Sequence, residues 1–149
     1  MCGRKEQVRF VLPVSSIEHN RQLWFEVNAQ FTDRQAEEIW EAPGISWGLF
    51  RHPEEELGAL GDVAGRDVLE LACGTAYLSA WLARAGARPV ALDLSRDQLR
   101  TARRCQNRFD TPFPLIEADA EEAPLRSASF DVVVSEYGAS PWCEPRRWL

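Results

Sequence analysis

The chain lacks any long hydrophobic run. Among its 149 residues, the apolar stretch at 8–14 is broken by Arg9 and Pro13 and falls far short of the ~18 apolar residues a membrane span requires. No small-residue cleavage site follows it, so neither export nor a membrane partner is expected. A basic excess is missing too: 17 Lys and Arg stand against 23 Asp and Glu, a net charge of −6. No broad surface is therefore available to neutralise nucleic-acid phosphates, and no nucleic-acid partner is expected. The four cysteines, Cys2, Cys73, Cys105 and Cys143, form no C-x-x-C pair. They read as reduced thiols in a cytoplasmic protein, since a chain of this size builds a core without disulfide staples. Histidine is scarce, and His19 and His52 stand alone, so no metal site is expected. Finally, there is no G-x-x-x-x-G-K-[ST] loop, and the one turn approaching G-x-G-x-x-G places Ala72, Gly74 and Tyr77 at its three glycine positions. Both gaps argue against nucleoside triphosphates and against nicotinamide or flavin cofactors.

What is present is an ordinary globular composition, 45% hydrophobic and 27% charged, enough for one domain. Residues 1–16 show no period and read as a disordered leader. Residues 17–60 read as a helical cap: Leu23, Trp24, Val27 and Phe31 recur at helical spacing, Asp33 has the character of an N-cap, and Ala36, Ile39 and Trp40 share one face. Pro43-Gly44 ends that helix, and another is expected near 54–60. From 61 to 149 the pattern alternates. Strands are expected at 68–71, 89–93, 114–118 and 130–135, with helices after the first two. The second helix opens with the S-x-x-Q capping box Ser95-Arg96-Asp97-Gln98. Uninterrupted Val132-Val133-Val134 suggests a strand covered on both faces. Alternating strands and helices predict an α/β fold with a doubly wound parallel sheet.

In such a sheet ligands bind beyond the carboxyl ends of the strands. Three of the four strand ends carry an acid there: Glu70, Asp93 and Asp119. Asp93 lies 19 residues after Gly74, the separation at which an acid accepts hydrogen bonds from ribose hydroxyls beyond a glycine turn. Its competing role is to cap the following helix. The turn Ala72-Cys73-Gly74-Thr75-Ala76 is small throughout, so a ligand can approach its backbone. Cys73, with no histidine near it in sequence, fits packing better than nucleophilic chemistry. The arginines of 96–108 form one face of a helix whose other face is apolar, which reads as a solvated face.

These residues resemble the class I S-adenosylmethionine-dependent methyltransferases. The run from Val68 to Ala76 is similar to that family's first motif, an acid followed by a small-residue loop beneath the methionine part of the cofactor. Val90-Ala91-Leu92-Asp93-Leu94-Ser95 resembles the second, whose acid holds the ribose while the next residue packs on adenine. Ile116-Glu117-Ala118-Asp119-Ala120 resembles the third, with Asp119 toward the adenine amino group. The resemblance implies a Rossmann-like fold, S-adenosyl-L-methionine as cofactor, and a cofactor site made of Glu70, Ala72, Cys73, Gly74, Thr75, Ala76, Asp93, Leu94, Asp119, Ala120 and Ser135. For the reaction it implies methyl transfer, with Glu136 and then Tyr137 as candidates to take a proton.

Two departures stand out. The first motif keeps only Gly74, with alanines at 72 and 76, where a positive φ would be costly. Ser135-Glu136-Tyr137-Gly138 is not the Asn/Asp-Pro-Pro-aromatic run of nucleic-acid amino methyltransferases, which points to a small-molecule substrate. The strand order is expected to resemble 3-2-1-4, with the domain incomplete after the fourth strand and an open edge prone to self-association. A nicotinamide-dependent oxidoreductase and a non-catalytic cofactor-binding fragment remain the alternatives.

Overall fold

Short aliphatic runs between small-residue turns become strands, and the 3.6-residue stripes become the helices that cover them. The computed structural model describes residues 16–28 and 33–148. Its elements are α1 (Ser16–Asn28), α2 (Asp33–Trp40), β1 (Ser46–Trp47), β2 (His52–Pro53) and α3 (Glu54–Leu57). The alternating part follows, with β3 (Asp67–Leu71), α4 (Tyr77–Arg84), β4 (Arg88–Asp93), α5 (Arg96–Phe109) and β5 (Leu115–Glu117). A 3-10 turn (Ala120–Glu122), β6 (Val132–Val134), α6 (Ala139–Trp142) and α7 (Pro145–Trp148) complete it.

The main sheet runs β5-β4-β3-β6 with every pair parallel, the 3-2-1-4 order expected from the sequence. The chain steps outward from β3 to β5 and then returns to the other side of β3, so strand order reverses between β3 and β6. On one face Val68 and Ala91 pack under α4 and α5 through Leu78, Leu82, Leu99 and Ala102. Across the sheet Leu69, Leu71 and Leu92 meet Ala139, Leu125 and Phe130. That second face is therefore covered by the irregular β5–β6 connection and α6.

Helix α2 joins the first face by inserting Trp40, which is fully buried. Its ring lies nearly parallel to Phe109 and Phe113, at 5.9 and 6.0 Å between centroids, a spacing at which aromatic pairs attract. Helix α1 reaches across to α6, where Trp24 meets Trp142 edge-on at 5.3 Å and Asn20 Nδ2 donates to the Trp142 carbonyl at 2.7 Å.

Several sequence expectations need correction. The third and fourth strands are three residues each, shorter than expected. Val133 is 56% exposed, so β6 is not covered on both faces: Val133 stands opposite Leu69, beyond the reach of the segment that covers Leu69. Asp33 opens α2 as its first residue, and its carboxylate is held by Arg104 (2.7 Å) and Thr101 (3.3 Å) of α5. Helix α3 stops at Leu57 because Gly58 turns left-handed at φ +61°. The loop after Gly44 folds into a β1–β2 hairpin the periodicity gave no sign of. Of the leader expected at 1–16, residues 1–15 lie outside the described residues and Ser16 opens α1; Phe31 also lies outside them, as does the side chain of Val27.

Candidate functional site

The small-residue turn after β3 is the centre of the site, and its backbone is unusual. Ala72, Gly74 and Ala76 all have positive φ, at 54°, 56° and 57°. Only the glycine adopts this conformation without cost; for an alanine it runs against roughly 1–2 kcal/mol. The turn is held there by bonds from outside it. Trp40 Nε1 donates to the Thr75 carbonyl at 2.8 Å, Cys73 N–H to the Leu92 carbonyl at 2.9 Å, and Gly74 N–H to Asp93 Oδ2 at 2.7 Å. A Cβ on Gly74 would meet nothing closer than Gln98 Oε1 at 3.8 Å, so conformation rather than space demands glycine there.

The predicted acids take different stations. Glu70 is 2% exposed and points under the turn, where its Oε2 accepts the Ser79 N–H (2.9 Å) and the Ser79 hydroxyl. Ser79 is the third residue of α4, so this strand acid caps the helix from beneath. Burial pushes the Glu70 carboxyl up to about 8, and the nearby acids Asp93 and Glu136 push the same way. Asp93, also buried, accepts from Gly74 with Oδ2 and from the Ser95 N–H with Oδ1, each at 2.7 Å. Burial pushes its carboxyl up despite both bonds. The helix-capping role and a role at the turn thus meet in one side chain. Asp119 Oδ1 accepts the Glu121 N–H at 2.9 Å and caps the 3-10 turn. Leu94 and Ala120, beside those acids, are half-buried. Cys73 is buried, and burial pushes its thiol well above the usual range, which suits packing.

The loop after β6 closes over the turn. Ser135 Oγ donates to the Leu71 carbonyl (3.0 Å) and accepts the Ala139 N–H (2.7 Å). Gly138 lies so close that a Cβ on it would fall 2.6 Å from the carbonyl oxygens of both Leu71 and Ala72. Between them Tyr137, 62% exposed, takes φ +52°. Glu136 is gripped from two sides: Oε2 accepts the Tyr77 hydroxyl at 2.8 Å and Oε1 accepts the Gly48 N–H of the hairpin at 3.2 Å. Tyr77 and Gly138 were absent from the expected site. Gly138 could have been found as a glycine directly beyond a strand end. The Tyr77–Glu136 bond spans 59 residues, and nothing local signals it.

This donor set fits S-adenosylmethionine. A carboxylate offers about four lone-pair sites. Asp93 uses two on backbone N–H groups, leaving two for a ribose diol. Among the described residues, neither Asp93 nor Glu136 forms an ion pair, so these two carboxylates leave the site a negative charge that suits a cationic ligand. Four of the five arginines of α5 are engaged elsewhere: Arg96 with Glu117, Arg100 with Asp97, Arg104 with Asp33 and Arg108 with Glu37. No cluster of three metal-ligating side chains occurs among the described residues, nor a helix long and apolar enough to cross a membrane. A cleft of about 480 Å³ lined by Arg84, Arg88, Thr111 and Phe113 lies at the opposite, amino end of the strands, away from this chemistry.

Comparison with known proteins agrees with the geometry. Demethylmenaquinone methyltransferase of Clavibacter sepedonicus is 40% identical over 91 residues, which are 61% of this chain and 37% of that protein. Cypemycin N-terminal methyltransferase of a Streptomyces species is 44% identical over 69 residues, 46% of this chain and 27% of that one. The chain thus matches well under two thirds of either relative's length. Among solved structures, a Pyrococcus horikoshii OT3 protein superposes with a TM-score of 0.50 at 30% identity, over 54% of this chain and 38% of that one. The Haemonchus contortus phosphoethanolamine N-methyltransferase 1 shares the fold, at TM-score 0.59 and 13% identity over 80% of this chain and 25% of its own. The methyltransferase domain family matches residues 68–148, the stretch from β3 through α7 that carries the turn, Asp93 and Glu136, and by that match the chain belongs to the class I S-adenosylmethionine-dependent methyltransferases.

Proposed function

We propose that this domain binds S-adenosylmethionine and takes part in methyl transfer to a small molecule. The observation that supports it most is Asp93, buried at the end of β4, bonded to the glycine of the turn, and still holding two unused acceptor sites. When bound, the cofactor supplies a methyl group already activated by a positive sulfonium. The protein's task is then mainly alignment, and proximity alone is worth several kcal/mol. The turn at 72–76 provides a narrow backbone floor, Asp93 fixes the ribose, and the loop at 135–138 forms the wall toward the acceptor. Glu136 is the acid placed to take a proton from the acceptor as its new bond forms, with Tyr137 beside it.

The relatives are named for three unlike acceptors: demethylmenaquinone, the N-terminus of cypemycin and malonyl-acyl-carrier protein. The match itself therefore does not choose among acceptors. The small-molecule assignment rests on Ser135-Glu136-Tyr137-Gly138 in place of the nucleic-acid motif. The nicotinamide reading is disfavoured: the third glycine position is Tyr77, whose ring packs against the core and whose hydroxyl donates to Glu136.

Calorimetry with S-adenosylhomocysteine and with NAD tests the reading. Binding of the former and none of the latter is expected, and the reverse pattern would end the proposal. Asp93→Asn should weaken S-adenosylhomocysteine about tenfold or more, because a charged acceptor to two hydroxyls is lost. Asp93→Ala is the poorer test, since it orphans both the Gly74 and the Ser95 N–H groups where asparagine leaves one of them without an acceptor.

A further inference from the structure

We infer that Glu136 makes this site prefer a ligand with a positive charge at its centre over the neutral equivalent, and that Tyr77 is the positioning residue that aims it. The inference rests on the S-adenosylmethionine reading, since donor and demethylated product differ in the charge on sulfur. Asp93, the turn and Glu136 follow β4, β3 and β6, three neighbours in the sheet. Strands are spaced by ~4.8 Å, so the outer two ends stand about 10 Å apart. A ligand fixed by its ribose at Asp93 and lying across the turn brings its sulfur toward the β6 side.

Of the acids near the turn, only Glu136 has no capping duty. Glu70 spends its Oε2 on Ser79 and Asp93 bonds the Gly74 and Ser95 N–H groups. Glu70 also holds its proton near neutrality, because burial pushes its carboxyl up to about 8, which leaves it little negative charge to offer. Glu136 is half-buried, has no ion-pair partner among the described residues, and is gripped by Tyr77 Oη at 2.8 Å and Gly48 N–H at 3.2 Å. A charge held in one place in a partly desolvated setting acts more strongly than one on a free side chain. Burial and the Glu136 carboxylate both push the Tyr77 hydroxyl well above its usual range, so it stays a donor. This assigns a purpose to the aromatic residue at a position where a nucleotide-binding turn would carry glycine.

The test is the ratio of affinities for S-adenosylmethionine and S-adenosylhomocysteine, measured by calorimetry on the wild-type chain, Glu136→Gln and Tyr77→Phe, with thermal unfolding followed in parallel. Glu136→Gln should lose about tenfold in affinity for the cationic donor, with the neutral product within about twofold. Tyr77→Phe, which keeps the ring, should shift the ratio the same way by about threefold. An unchanged ratio in Glu136→Gln overturns the inference, and so does an equal loss for both ligands, which a merely structural role would give. If Glu136→Gln does not fold, Tyr77→Phe decides alone by the same criterion. Failure of the wild-type chain to bind either ligand overturns the cofactor reading itself, whereas binding of both with an unaltered ratio overturns only this inference.

Discussion

The two helices that flank the candidate site begin in opposite ways. Helix α5 is capped from its own neighbourhood: Ser95 Oγ accepts the Gln98 N–H at 3.4 Å, and the Ser95 N–H is taken by Asp93 two residues earlier. Helix α4 starts from Ala76 in a left-handed conformation, with no side-chain cap from that residue. Its orphan N–H at Ser79 is met by Glu70, nine residues back and under the turn. A local cap fills the space at the helix start with its own side chain. A cap from below leaves that space open, so α4 presents a bare backbone turn to a ligand while α5 supplies only the flank. The open arrangement carries a cost, the left-handed alanines and a buried carboxyl, of a kind that concentrates at functional sites.

Removing the remote cap should have the largest effect. Glu70→Ala would leave the buried Ser79 N–H and hydroxyl without their acceptor and open a void, which together are expected to cost about 3 kcal/mol. Urea unfolding would register this as a lower midpoint, and a loss below about 1 kcal/mol would mean that α4 does not depend on Glu70.

A second effect concerns pH. The Glu70 carboxyl sits at about 8 in the folded chain against 4.5 for an ordinary glutamate. Between these values the folded state holds a proton that the unfolded state has released, so this group's contribution to stability falls as pH rises from about 4.5 to about 8. Unfolding midpoints across that window should decline in the wild type and decline less in Glu70→Gln, and parallel curves would show that Glu70 is not the titrating group. The local cap is worth less again. Ser95→Ala should cost only about 0.5–1 kcal/mol, because its bond is long and Asp93 still holds the neighbouring N–H. Smallest, and of opposite sign, is Ala76→Gly. Relief of the left-handed strain is offset by the greater freedom of unfolded glycine, leaving a gain of roughly 0.5 kcal/mol in thermal unfolding.

How far the sequence foretold all this follows the same division. Interactions between near neighbours were legible: the Ser95 cap and the three strand-end acids; the parallel sheet follows from alternating strands and helices, and its strand order is what the family resemblance implies. What escaped involves side chains whose direction no periodicity encodes. That Glu70 points down to Ser79 rather than outward depends on the pleat of β3 and on the angle at which α4 leaves the turn. Glu136 meets Tyr77 and Gly48 across 59 and 88 residues. The alanines at 72 and 76 appeared as departures from a glycine pattern, yet their backbone takes the left-handed form glycine favours, because Trp40, Leu92 and Asp93 hold the turn from outside.

The contact at Gly138 has a mechanical consequence. With no room for a side chain between Gly138 and the carbonyls of Leu71 and Ala72, and Ser135 bonded to Leu71, the loop beyond β6 cannot slide independently of the turn beyond β3. The two travel as a single plate. A ligand that quiets the turn therefore quiets the loop carrying Glu136 at no additional ordering cost, and amide exchange at 72–76 and at 135–138 will slow together when the site is filled.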